Sequence, residues 1–165
     1  MVFATAVRLL GDPADAEDVA QTVFLRAFQR FEEIGSSEAA PGWLKTVTRN
    51  ACLNHLSRYR ARWRFFSELE HPDREDSDTS YDQSLISTST PSSDLELADR
   101  HEQLERALRR LPDHQRVPLV LFHFENMTYR EIADLLGISL GKAKTDIHRG
   151  REALKKLLTT DHASR

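Results

Sequence analysis

The sequence predicts an all-α protein of two small helical domains joined by a flexible acidic linker. Three observations carry that expectation. Apolar residues recur at helical spacing in successive stretches on both sides of the chain. Those stretches are bracketed by capping side chains, prolines and glycines of the kind that start and stop helices. Between them, residues 67–96 hold nine acids against one base, Arg74, with a Ser/Thr-rich run that cannot bury a core. No internal repeat is visible and no strand pattern competes.

The first domain, residues 1–66, reads as three helices. Val2 to Leu10 is apolar on most sides and looks like the end of a buried helix, broken by Gly11. Asp12-Pro13 is an N-cap followed by proline at the first helical position. The helix it opens sets Ala16, Val19, Ala20, Val23, Phe24, Ala27 and Phe31 on one face, with Glu17, Asp18, Gln21 and Arg26 mainly elsewhere. After the loop Glu33 to Ala40, Pro41 precedes a third helix expected from about Gly42 to Arg64. Its apolar contacts are Trp43, Leu44, Val47, Ala51, Leu53 and Leu56. Cys52, the only cysteine, rules out an internal disulfide and reads as a small buried core residue.

The second domain, residues 97–160, is expected to hold about four helices. Leu97 to Leu111 is amphipathic, with Leu104, Ala107, Leu108 and Leu111 inward, and Pro112 ends it. Asp113 is expected to cap the next helix, whose Val117, Leu119, Val120, Leu121 and Phe122 read as core. Asn126-Met127 forms a turn. Thr128 to Glu131 is a capping box, Gly137 a C-cap, and Ser139 the cap of a last helix reaching about Leu158.

Thr128 to Arg151 has the spacing of a helix-turn-helix, with Ile132, Ala133 and Leu136 facing Ile138, Ala143 and Ile147 across a tight glycine turn. This sets Lys142, Lys144, Thr145, His148 and Arg149 within reach of DNA, the first residues of the helix toward base edges and the later ones toward phosphates. Asp146 either reads a cytosine amino group or faces away from the phosphates. The plainer reading is a helical hairpin with a solvated basic face. Trp43 to Phe66 is the second basic stretch: Lys45, Arg49, Arg58, Arg60, Arg62 and Arg64 without one acid, interleaved with Trp43, Tyr59, Trp63, Phe65 and Phe66. Bases can follow a phosphate backbone while planar groups stack on unpaired bases. Asn50 and Asn54, one turn apart, add paired hydrogen-bonding groups.

Composition excludes several classes. Apolar residues at 39% and charged residues at 30% suit a globular protein. The net charge of −3 hides the segregation of acids from bases. No apolar run is long enough for membrane insertion, and no signal peptide opens the chain, so a cytoplasmic protein is expected. The seven histidines show no metal-ligand spacing, and no phosphate-cradling glycine loop or nucleophile constellation is present. The expectation is therefore a protein that is not an enzyme, with no catalytic or metal site and no cofactor. A stand-alone helix-turn-helix regulator is the alternative, although it leaves the Ala16 to Phe28 stretch unexplained.

Ala16-Glu17-Asp18-Val19-Ala20-Gln21-Thr22-Val23-Phe24-Leu25-Arg26-Ala27-Phe28 resembles the core-polymerase-binding helix of extracytoplasmic-function sigma factors. Trp43 to Asn54 is similar to that family's next helix, which engages the −10 promoter element. Leu111 to Arg116, Tyr129 to Ala133 and Ile147 to Arg151 resemble its C-terminal domain, which binds the −35 element. The resemblance implies a protein that binds core RNA polymerase and directs promoter recognition, melting and initiation, with promoter DNA and an anti-sigma factor as further partners. It implies polymerase contacts for Glu17, Asp18, Gln21 and Phe24. Lys45, Arg49, Asn50, Asn54 and Arg58 would lie at the melted −10 DNA, and the loop from Glu33 to Ala40 where a flipped base is captured. Arg130, Lys142, Lys144, Thr145, His148 and Arg149 would meet the −35 duplex, and the acidic linker would thread toward the polymerase channels. The family pattern has a further helix before Val2, so the first domain is expected to be N-terminally short. Lys142 and Asp146 stand where the family commonly has Thr and Arg, which implies an unusual −35 preference.

Overall fold

The computed structural model describes residues 1–57 and 94–163, and every regular element among them is a helix. In chain order these are α1 (Val2–Leu10), α2 (Pro13–Gln29), α3 (Phe31–Ile34), α4 (Ala40–His55), α5 (Asp94–Arg110), α6 (Asp113–His123), α7 (Tyr129–Leu136) and α8 (Leu140–Ala163). Arg58, the other bases and aromatics up to Phe66, and most of the acidic linker lie outside the described residues.

Helices α1, α2 and α4 pack on one another as a three-helix bundle. The Asp12 carboxylate accepts from the backbone N–H groups of Ala14 (2.7 Å) and Asp15 (3.3 Å), with Pro13 in the first turn, as the sequence predicts. The bundle core is Val2, Ala6, Leu9 and Leu10 from α1, Ala16, Val19, Ala20 and Val23 from α2, and Cys52, Leu53 and Leu56 from α4 and its cap. Thr48 is buried among them, its hydroxyl donating to the Leu44 carbonyl at 2.7 Å, so that oxygen is not stranded.

The inward face of α2 is narrower than expected. Phe24 points to solvent, and Phe31 belongs to the separate short helix α3, where it is also exposed. Ala16, Val19, Ala20 and Val23 already fill the space against α1 and α4, which leaves no room on that side for a phenylalanine.

In the second half, α8 is the spine: α5, α6 and α7 each pack on it. Ala107, Leu108 and Leu111 meet Val117, Leu119, Val120 and Leu121, closed by Ile132, Ala133, Leu136, Ala143, Ile147 and Leu154. Helix α5 begins three residues earlier than expected and α8 runs five residues further. The cap of α6 also differs from expectation. Pro112 takes the extended N-cap backbone, and Asp113 is the first helical residue, its carboxylate bonded to Arg116 rather than to backbone donors.

The two bundles touch through α1, which lies against α5 and α6. Arg116 is the centre of this joint. Its buried guanidinium donates to the carbonyls of Leu10 (2.8 Å) and Leu9 (3.4 Å) at the C-terminus of α1, and to Leu111 (2.8 Å), while Asp113 pairs with it. A cation here also meets the negative end of the α1 dipole. Gly11 completes the arrangement: its φ of 75° lies in the left-handed region, and a Cβ there would stand 2.6 Å from the Arg116 Cζ. Beside it, the Arg8 Nε and Nη2 are each 2.6 Å from Glu105 Oε1, and the guanidinium lies 4.4 Å from the centre of the Phe124 ring.

Candidate nucleic-acid interface

The second half carries a helix-turn-helix built from α7 and α8. Thr128 opens it: its hydroxyl accepts from the Glu131 N–H (3.3 Å), and its own N–H donates to the Glu131 carboxylate (2.8 Å). Two bonds donated to the Glu131 carboxylate, first from the Thr128 backbone N–H and then from its hydroxyl (2.8 Å), hold that carboxyl below its usual pKa. Helix α7 ends at Gly137, with φ 67° and ψ 39° and its N–H on the Ala133 carbonyl. A Cβ on Gly137 would meet open space, so the backbone angle alone selects glycine. Asn126, at φ 54°, makes the preceding turn, a position asparagine tolerates better than most residues. Ser139 accepts from the Lys142 N–H at 3.1 Å as the cap of α8.

Within α8, Ala143 and Ile147 face inward as expected. Asp146 faces inward too, 2% exposed, and decides between its two sequence readings: its carboxylate is turned into the protein, away from the outer surface of the helix. It is held by the Lys142 ammonium at 2.8 Å. Burial raises the Asp146 pKa, and the bond and charge from Lys142 oppose the rise. The predicted −35 residues therefore fall into groups. Arg130 and His148 are exposed, Lys144, Thr145 and Arg149 are half-buried, and Lys142 is committed to Asp146. The Thr145 hydroxyl donates to the Gly141 carbonyl at 2.9 Å.

Two residues that position α8 escaped the sequence reading. Gly150 sits where α8 crosses α6, since a Cβ there would stand 3.1 Å from the Gln115 carbonyl. Arg151 is buried, its Nε 3.1 Å from the His123 Nε2 and its guanidinium 5.3 Å from the Phe122 ring centre. Burial first, and the Arg151 charge second, lower the His123 pKa. Their cue was Gly and Arg following the apolar Ile147, a pattern that says nothing of partners twenty-eight residues away.

The first half presents two faces. On α2, Glu17, Asp18 and Gln21 are exposed together with Phe24 (56%), Leu25 (64%) and Phe28 (80%), and Phe31 (65%) continues the strip into α3. The four predicted polymerase contacts thus share an outer surface with three large apolar side chains that were not among them, Leu25, Phe28 and Phe31. On α4, Asn50 and Asn54 face solvent, but Lys45 and Arg49 turn toward the second half. The Lys45 ammonium lies 3.7 Å from Glu125 Oε2 and 3.4 Å from the Phe124 carbonyl, and the Arg49 Nη1 is 3.7 Å from the Met127 sulfur. Glu125 is buried and its pKa is raised by that burial, with Lys45 and then Arg49 acting in the other direction.

A helical chain with an apolar outer face on one bundle and a helix-turn-helix on the other defines a class of DNA-directed adaptor. Residues 1–63 match the Sigma-70 region 2 family and residues 101–154 the Sigma-70, region 4 family. The chain is 27% identical over 157 residues to the ECF RNA polymerase sigma factor SigW of Bacillus subtilis, covering 95% of this chain and 82% of the relative. It is 32% identical over 160 residues to the ECF RNA polymerase sigma factor EcfG of Rhodopseudomonas palustris, covering 97% and 80%. Among solved structures it is similar to the sigma factor RpoE of Bartonella quintana, determined in complex with the anti-sigma factor NepR. That match has a TM-score of 0.52 and 24% identity over 97% of this chain and 91% of the other, and speaks to the fold alone. The chain belongs to the extracytoplasmic-function sigma factor family.

Proposed function

We propose that this chain binds core RNA polymerase through α2 and directs it to promoters, reading the −35 duplex with α8 and the melted −10 strand with α4. The observation that carries the reading is the exposure of Phe24, Leu25 and Phe28 beside Glu17, Asp18 and Gln21 on a helix whose other face is filled. Large contiguous apolar side chains left in water mark a protein-docking surface. Covering each is worth roughly 1.5–3 kcal/mol. A stand-alone repressor would have no use for that strip unless it formed a dimer face.

The division of labour follows residues 1–66 for polymerase and −10 DNA, the acidic segment 67–96 as connector, and residues 97–160 for the −35 element. Arg130, Lys144, Thr145, His148 and Arg149 would approach the duplex. Lys142, tied to Asp146, would shape the helix surface as much as touch DNA. Lys45, Arg49, Asn50, Asn54 and Arg58 would serve the −10 strand. Melting needs no covalent chemistry: unstacking a base costs a few kcal/mol, which binding energy from both DNA surfaces and polymerase can supply. Such a role belongs in the cytoplasm, and the described residues contain no helix long and apolar enough to cross a membrane. An anti-sigma factor is the natural regulator, by analogy with the solved complex.

The test is capture of core polymerase by the full chain, followed by run-off transcription across genomic DNA. The native chain is expected to be retained and to initiate at discrete sites. Phe24→Ala with Phe28→Ala, or Asp18→Lys with Gln21→Ala, is expected to abolish capture while leaving duplex binding intact. A native chain that ignores polymerase yet binds an operator alone would favour the repressor.

A further inference from the structure

One of the bases on α8 is neutralised where it stands. Lys142 lies in the first turn of the helix, the part whose side chains reach base edges when such a helix enters a major groove. Its side chain is only 18% exposed, and its Nζ stands 2.8 Å from Asp146 Oδ1, one turn further on. Asp146 is itself rooted in the interior. Burial raises its pKa, and Lys142, then His114 on α6 and Arg149 on α8, act in the other direction. The backbone beneath the lysine is fixed too. Its N–H donates to the Ser139 hydroxyl at 3.1 Å, and the neighbouring Ala143 is fully buried.

An untethered lysine is a point charge on a flexible stem, and beside DNA it follows phosphates, which carry no sequence. The bond to Asp146 changes both properties. Together the two side chains carry no net charge, so their pull on phosphates is weak. Of the three ammonium donors one is committed, and the remaining two leave a head that is held in place. Two close, oriented donors match the O6 and N7 acceptors that guanine presents in the major groove.

We propose that Lys142 reads a guanine and that Asp146 is its positioning residue, so that the pair supplies sequence discrimination with little of the salt-dependent attraction an untethered lysine would add. This rests on the reading of α8 as the helix that enters the −35 duplex.

The experiment uses the full chain assembled with core polymerase and a randomised double-stranded oligonucleotide library. The native assembly should enrich guanine at one position of the −35 element that Lys142→Ala no longer selects, a loss of discrimination on the order of tenfold. Placing 7-deazaguanine there, which lacks the N7 acceptor, should weaken native binding and leave Lys142→Ala unmoved. The slope of log affinity against log salt should stay native in Lys142→Ala. Asp146→Ala frees the ammonium, so the preference should fall by a similar factor while the slope steepens by about one. Asp146→Asn, whose amide oxygen still accepts from Lys142, should recover most of the preference. Circular dichroism melts set the working temperature below the transition of every variant.

A slope that falls by about one in Lys142→Ala makes the residue a phosphate contact and overturns the proposal. A guanine preference that survives Asp146→Ala overturns the positioning role. Even loss of affinity for every sequence in both Asp146 variants leaves that residue a structural part only, and overturns it too. If the native assembly selects no duplex sequence, the reading of α8 itself falls. A chain that ignores polymerase sinks the sigma-factor reading alone, and the same library put to the chain by itself then decides about Lys142.

Discussion

Gly137 and the Lys142–Asp146 pair show how single residues set the recognition helix. Gly137→Ala adds a Cβ that touches nothing but must sit at φ 67°, so its expected cost of about 1–2 kcal/mol comes from the backbone alone. Urea unfolding of the full chain measures it, and Gly137→Asn should recover part of the loss. Lys142→Ala and Lys144→Ala should separate two roles that sequence alone merges. Lys142→Ala leaves the buried Asp146 carboxylate without its hydrogen-bonded ammonium, an expected loss of about 1–3 kcal/mol in stability. Asp146 titrates above its unfolded value of 3.8. A raised carboxylate stabilises the fold at low pH and loses that contribution as pH climbs through the folded pKa, so the Lys142→Ala deficit should be largest at neutral pH and shrink on acidification. Lys144→Ala should leave unfolding unchanged and reduce the salt slope of duplex binding by about one if its ammonium meets a phosphate.

At the scale of elements, capping and glycine chemistry were readable in advance, whereas orientation was less so. Asp12, Thr128, Gly137 and Ser139 act locally, through bonds to residues at most four positions away, and each does what its position in the sequence announces. Asp113 misled because its partner, Arg116, competes with the backbone for its carboxylate. Phe24 and Phe31 misled because apolar character was equated with burial, and on α2 the smaller Ala16, Val19, Ala20 and Val23 suffice to fill the interior. The seating of α8 on α6 depends on Gly150 and on Arg151 bonding a neutral His123. His123 is held below its ordinary value of 6.5, so the unfolded chain takes up its proton first as pH falls. Stability should therefore decline below about pH 6.5. Thermal melts across that range should show the decline, and His123→Gln should flatten it.

Across the whole molecule, the segregation of charge was visible in the sequence, and so were the two bundles. The joint between them was not. Arg8 with Glu105, Lys45 with Glu125 and Arg116 with the end of α1 pair residues between eighty and a little over one hundred positions apart, and no local spacing encodes such meetings. For the same reason the four predicted contacts on α4 looked equivalent, although Asn50 and Asn54 face water while Lys45 and Arg49 are engaged across the joint.

The strip from Phe24 to Phe31 also bears on how the chain can be kept. Aromatic rings standing in water on two neighbouring helices are sticky toward any similar strip, including that of another copy. Solubility is thus tied to occupancy: molecules produced in excess of whatever covers those rings should self-associate as their concentration rises. Replacing Phe28 with serine should raise the concentration at which light scattering first appears.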